Sequence, residues 1–191
     1  RILARIVPPK FPKRDFDITR YGALADGKTL STGAFRKAIE ACAKAGGGRV
    51  VVPHGEFLTG AIHLKSNVNL YVSRGATVKF SLDPKDYLPL VYTRWEGMEL
   101  MHISPLIYAY EQKNIALTGE GTLDGQGKAM FWKWHGNPRY GGNPDVISQK
   151  KDRARLYEMM EKGAPVAERI FGEGAYLRPQ FIQPYKCKNV L

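Results

Sequence analysis

One short pattern recurs along the chain and limits the folds open to it. Asn67-Val68-Asn69-Leu70, Asn114-Ile115-Ala116-Leu117 and Asn189-Val190-Leu191 share the order asparagine, branched apolar residue, any residue, leucine, with the third copy cut short. Two copies extend upstream: Tyr110-Glu111-Gln112-Lys113-Asn114-Ile115 parallels Tyr185-Lys186-Cys187-Lys188-Asn189-Val190. Pro105 or Pro179, followed by an apolar strand, stands before each. A repeated unit that cannot bury its own apolar face must stack on its neighbours. Asparagine tolerates the left-handed backbone of a turn and bonds neighbouring main chain. Asn67, Asn114 and Asn189 are therefore expected in equivalent turns on different coils, with their side chains stacked. Ile115 and Val190 are expected to point into the core.

The rest of the pattern agrees. Short strands are predicted at Phe16–Ile18, Arg49–Val52, Thr59–Leu64, Val68–Val72, Thr77–Phe80, Ile103–Tyr110, Ile115–Leu117 and Gln180–Gln183. Phe35, Ala38, Ile39 and Cys42 recur at helical spacing, so a helix is predicted from Ser31-Thr32, as N-cap, to about Ala45. Gly46-Gly47-Gly48 ends it. No second long helix precedes residue 140, which excludes a doubly wound α/β fold with its crossover helices. The expected fold class is all-β: a right-handed parallel β-helix whose first apolar coil is covered by the N-terminal helix as a cap. A β-sandwich with chance similarity among its turns is the competing fold.

Residues 1–14 are basic and carry Pro8, Pro9 and Pro12, an extended lead-in. Residues 15–191 are expected to be coils of one domain. Residues 127–174 break the strand rhythm with Trp132, Trp134, His135, a Gly141-Gly142 turn and a helix predicted from Asp145 to about Lys162, with Pro144 near its start. An excursion of this length is a partly helical insertion of the kind that forms a functional loop, lid or interface.

Charge narrows the partners. The formal net charge is +11, which attracts an acidic partner or simply solvates the surface. The basic residues are scattered, and no zinc-finger spacing or aromatic sheet signature occurs, so nucleic acid is not expected. No run of about 18 apolar residues exists, so no transmembrane helix is expected. Cys42 and Cys187 cannot make a disulfide framework, and Cys42 on the apolar helix face reads as a buried free thiol.

At this point particular motifs carry a resemblance. Phe16-Asp17-Ile18-Thr19-Arg20-Tyr21-Gly22-Ala23, Asp26-Gly27-Lys28-Thr29 and the Ala38–Pro53 stretch resemble the opening signature of the pectin-lyase-like superfamily, which some phage tailspikes share. Phe57-Leu58-Thr59-Gly60, Ile62-His63-Leu64-Lys65-Ser66-Asn67-Val68 and Arg94-Trp95-Glu96-Gly97 are similar to glycoside hydrolase family 28. So are Ser104–Ala109, Gly119–Gly127 and Arg178-Pro179-Gln180-Phe181-Ile182. The resemblance implies hydrolysis of polygalacturonate or related pectic chains with inversion, by the Asn-Thr-Asp and Asp-Asp carboxylates with Gly-His-Gly and Arg-Ile-Lys motifs. None of these four occurs here; the nearest fragments are His54-Gly55, His135-Gly136 and Arg169-Ile170. In the family those motifs follow the segment at which this chain stops, so Leu191 reads as a truncation point and the chain as the N-terminal portion. No catalytic residue is expected in it, and the chain alone is expected to be inactive.

What remains is binding. An inverting glycosidase needs two carboxyls spaced to admit a water, but Asp124, Glu120 and Asp145 read as turn or capping residues. Arg178 is the first substrate-contact candidate, because a guanidinium grips a uronate carboxylate with two parallel hydrogen bonds. Glu96 reads as an ion-paired loop residue able to touch sugar. Trp95, Trp132 and Trp134 offer flat faces for sugar rings, against core packing as the plainer role. His63 and His102 are placed at a cleft wall without metal-ligand spacing, so no metal and no cofactor is expected. A calcium-dependent lyase would need a carboxylate cluster that is absent. The expected partner is acidic polysaccharide, with self-association of the chain through its open end. The expected location is secreted or periplasmic, although no signal peptide is visible. The alternative is a noncatalytic β-helix for carbohydrate binding, adhesion or a tailspike-like structural role. Endo or exo action is left open.

Overall fold

The computed structural model describes residues 2, 5–129, 131, 133–143, 145 and 147–191. The strands are β1 (Asp15–Asp17), β2 (Asp26–Leu30), β3 (Gly48–Val52), β4 (Gly55–Thr59), β5 (Ile62–His63), β6 (Val68–Val72) and β7 (Ala76–Phe80). They continue with β8 (Val91–Trp95), β9 (Met98–His102), β10 (Ile107–Tyr110), β11 (Lys113–Gly119) and β12 (Thr122–Asp124). The last are β13 (Ile170–Phe171), β14 (Ile182–Tyr185) and β15 (Lys188–Val190). The helices are α1 (Thr32–Lys44) and α2 (Gln149–Glu161). The chain divides into two compact units, one of residues 1–80, 107–124 and 183–191, the other of residues 81–106 and 125–182.

The first unit is a right-handed parallel β-helix. Its three sheets run β1-β3-β6-β11-β15, β14-β10-β5 and β12-β7-β4-β2. The register stacks like on like: Val50 pairs with Leu70, Val52 with Val72, and Phe57 with Val78. Alternate residues of each strand face inward, so Val50, Val52, Phe57, Val68, Leu70, Val78, Phe80 and Ile115 form a fully buried column. The asparagine ladder is present. Asn67, Asn114 and Asn189 have φ of 65°, 53° and 54°. Asn114 Nδ2 donates to Asn67 Oδ1 at 3.1 Å, and Asn189 Nδ2 donates to Asn114 Oδ1 at 2.9 Å. Ile115 points inward as expected. Val190 lies in register with Ile115 but is 47% exposed, because β15 is the outermost strand of its sheet among the described residues.

Asn114 holds two rungs and a left-handed turn at once, so its replacements separate these roles. Asn114→Ala is expected to cost about 2–3 kcal/mol, losing the side-chain bonds and straining the turn. Asn114→Gly relieves the strain and should cost only about 1 kcal/mol. Denaturant melts of the two variants check the order.

Helix α1 buries Ala34, Phe35, Ala38, Ile39 and Cys42, and packs on β1, β3, β5 and β6, the cap its periodicity predicts. Its N-terminus differs in detail. Ser31 is the N-cap by position, but its hydroxyl makes no cap bond; it donates to Thr29 O at 3.3 Å and accepts from Leu24 N at 3.4 Å. After the helix, Gly47 has φ 107°, and a Cβ there would lie 2.5 Å from Asn67 O. Only glycine lets the chain pass that close to the first rung. Cys42 is a free, fully buried thiol, and burial pushes its pKa up to about 11.

The second unit is built differently. β8 and β9 form an antiparallel hairpin, with Trp95 opposite Met98. The turn residues Glu96 and Gly97 both have positive φ, 45° and 92°, as a twisted two-residue hairpin turn requires. Sequence reading takes Glu96, beside Arg94 and Trp95, as a loop residue. β13 adds to β9 in parallel, with Phe171 beside His102. The strand expected over Ile103–Tyr110 begins only at Ile107. Helix α2 starts at Gln149 rather than Asp145, with Ser148 Oγ accepting from Lys150 N at 3.2 Å. Pro144 lies outside the described residues. The core here is Trp95, Met98, Leu100, Leu156, Phe171, Ala175 and Leu177.

Candidate functional site

The β8–β9 hairpin and the segment running from β13 to Gln180 bring the expected binding residues together. Met98, Leu100 and His102 are the inward positions of β9, and Thr93 and Trp95 are inward on β8. Trp95 is 3% exposed, and its Nε1 donates to Arg178 O at 3.1 Å. His102 has no exposed surface; its Nδ1 lies 2.7 Å from Phe171 O and its Nε2 2.8 Å from Leu177 O. Burial pushes the His102 pKa below the ordinary histidine value, against the pull of both carbonyls and of the Asp152 carboxylate. Both rings therefore hold consecutive carbonyls of the Leu177-Arg178 main chain. They were expected as sugar contacts, but a buried ring has no face to offer one, so what they supply is position.

Arg178 is then fixed from the other side. Its Nε donates to Oε1 of Gln149, the first residue of α2 and itself buried, at 3.0 Å. Two residues on, Gln180 Nε2 donates to Arg94 O at 2.6 Å, and Arg94 Nη2 donates to Gly97 O at 3.0 Å. Glu96 at the hairpin tip meets Arg153 of α2, Oε2 to Nε at 3.5 Å. That pair is half exposed, so it adds little stability. Gln180 Oε1 is buried and has no hydrogen-bond partner among the described residues. An unmet buried acceptor costs about 1–3 kcal/mol, and such a group waits for a donor.

Asp152, in the first turn of α2, accepts from Tyr176 N at 2.7 Å. Tyr176 and the glycines before it wall a cleft of about 150 Å³, whose other lining includes Lys85, Leu88, Ile103 and Trp134. Trp134 is buried edge-on between Phe131 and Tyr176, the core role rather than an open sugar platform. Trp132 lies outside the described residues. His63 packs edge-on against Tyr108, in the other unit. Gln149, Arg153 and Gln180 belong to the arrangement but carried no signal of their own; Gln180 was visible only within the Arg178-Pro179-Gln180 motif. Among the described residues no group of three histidine, cysteine or carboxylate side chains is arranged to hold a metal, and no helix is long and apolar enough to cross a membrane.

Chemically, the arrangement is a main-chain segment contacted by buried side chains and presenting a guanidinium, with polar amides beside it. No family model matches the chain. The exo-poly-alpha-D-galacturonosidase of Dickeya chrysanthemi is 39% identical over 125 residues, 61% of this chain and 20% of that protein. The crystal structure of a hyperthermoactive exopolygalacturonase from Thermotoga maritima is 47% identical with a TM-score of 0.94, covering 99% of this chain and 42% of that one. A family 28 exopolygalacturonase from Yersinia enterocolitica is 34% identical with a TM-score of 0.54, covering 60% of this chain and 21% of that one. The chain thus spans less than half the length of each of these three. The resemblance to polygalacturonase-like glycoside hydrolases of family 28 is borne out by these matches.

Proposed function

We propose that this chain is the pectic-chain-binding portion of a glycoside hydrolase that cleaves polygalacturonate or a related polysaccharide with inversion, and that Arg178 grips a uronate carboxylate. The observation that carries this reading is the likeness to one exopolygalacturonase structure along almost the entire chain. The site chemistry supports it: Gln149 accepts from the Arg178 side chain, Trp95 and His102 meet the Arg178 and Leu177 carbonyls, and Arg94 and Arg153 stand on the same hairpin and helix. A fork held in place loses little freedom on meeting a carboxylate.

On this reading the chain contributes binding and supplies neither the acid nor the base. Carboxylates that would be candidates are already engaged. Asp15 is paired with Arg49, Glu56 with Lys79 and Glu120 with Arg74. Asp152 is bound to Tyr176 N, and Asp26 accepts from Lys28 and Thr29 of its own turn. For Asp15 and Asp26 those bonds hold the carboxyl below the ordinary carboxylate range, and a carboxylate stabilised in its charged form is a poor general acid. The isolated 191-residue protein is expected to release no reducing sugar from polygalacturonate, with an active family 28 polygalacturonase as positive control. Comparable turnover by both would overturn this. Binding of polygalacturonate should weaken as salt rises, because exposed charges are screened over about 8 Å at physiological ionic strength. Salt-independent binding would shift the contact to aromatic stacking. A polymeric pectic substrate favours a location outside the cytoplasm, secreted or periplasmic. The exposed β15 edge, with Val190 and Leu191, favours self-association of the isolated chain; light scattering showing a monomer at all concentrations would count against it.

A further inference from the structure

His102 sits in an inward row of apolar residues yet carries two polar atoms, and each faces a main-chain carbonyl. A carbonyl only accepts, and a neutral imidazole has one N–H and one bare lone pair. A neutral ring therefore makes one of the two hydrogen bonds and sets a lone pair against the other oxygen. Only the imidazolium makes both. The two carbonyls, of Phe171 and Leu177, are the two ends of the Gly172–Tyr176 segment, and Leu177 leads directly into Arg178.

We propose that His102 is a proton-dependent positioning residue: as imidazolium it clasps both ends of the Gly172–Tyr176 segment and steadies the main chain that presents Arg178, and as neutral imidazole it releases one end. This rests on the reading of Arg178 as the uronate contact. Trp95 holds the Arg178 carbonyl through a group that does not titrate, so His102 is the variable half of the pair. Among the described residues, Asp152 of α2 is the charged group that acts on the ring, and it binds Tyr176 N inside the clasped segment. The groups the ring touches from β13 and from the segment's far end are main-chain carbonyls.

The sign follows from which state holds the proton better. Opening one end removes an acceptor from the charged ring while leaving it buried, so the open form is harder to protonate than the closed one. Acid therefore tightens the clasp. Whole-chain unfolding has the opposite sign, because it moves the ring into water and burial disfavours its charge.

The test uses the 191-residue protein with nitrogen-labelled histidine. Magnetic resonance reads the protonation of both His102 ring nitrogens across the pH range, and amide exchange reads protection of Glu173 to Tyr176. As pH falls, both nitrogens should become protonated, and protection factors in the segment should rise roughly fivefold to tenfold, one hydrogen bond's worth. His102→Gln keeps one amide donor and should flatten that profile. Should it fail to fold, Asp152→Asn removes the favourable charge and should move the whole profile to lower pH. A ring that stays in one neutral tautomer throughout, or a protection profile unchanged in these variants, overturns the proposal. Titration with trigalacturonate separates the two readings. If the clasp titrates as described but Arg178→Ala binds trigalacturonate like the parent protein, the clasp stands and the role of Arg178 falls.

Discussion

Replacing Ile39 with aspartate is expected to destabilise the β-helical unit by about 3 kcal/mol or more, since it sets an unpaired charge in a fully desolvated position. Ile39 is 1% exposed on the buried face of α1, in the same row as Phe35, Ala38 and Cys42. That face packs against β1, β3, β5 and β6, whose apolar side chains would otherwise meet water. A charge there can avoid desolvation only by lifting the helix, which exposes the same surface. Ile39→Val is the control; it removes one methylene and should cost about 1 kcal/mol. Denaturant melts of both variants measure the difference. Equal stability of Ile39→Asp and the parent protein would show that α1 covers nothing that matters.

Arg178→Ala should weaken trigalacturonate binding by about tenfold to a hundredfold, the range for losing hydrogen bonds to a charged partner. Arg178→Lys restores the charge but not the two-pronged geometry, and should recover only part of the loss. Gln149→Ala should fall between them. It leaves the guanidinium in place but frees it from its 3.0 Å tether, so the loss is one of orientation. Calorimetric titration at low salt gives the affinities. Unchanged affinity in Arg178→Ala, with its fold intact by circular dichroism, would move the site elsewhere.

The parts of the molecule legible in the sequence are those governed by short-range rules. Runs of β-branched and apolar residues marked β3 and β6, a period near four marked α1, and three asparagines marked the turns that need left-handed backbone. Each of these depends on the residues at hand and on one neighbour in the next coil. The β8–β9 hairpin was illegible for the same reason in reverse. Glu96 at φ 45° is a local misfit that tertiary packing tolerates, with Arg153 across from it and the hairpin core beneath.

Arg178 and its neighbours show where sequence stops. The side-chain chemistry of Arg178, Glu96, Trp95 and His102 could be read from their types, and so could their membership in motifs. Which of them would face solvent could not. Burial of Trp95 and His102 depends on a segment more than 60 residues away, as the contacts from His102 to Phe171 and from Trp95 to Arg178 show. The tether from Gln149 to Arg178 joins a helix start to a loop across 29 residues. Periodicity and turn chemistry determine that the chain coils, where it turns and which end is capped, because those energies are local or repeat with the coil. Only the tertiary structure decides which polar groups become contacts and which become supports, because desolvation is set by everything packed around a group and by nothing in its own stretch of chain.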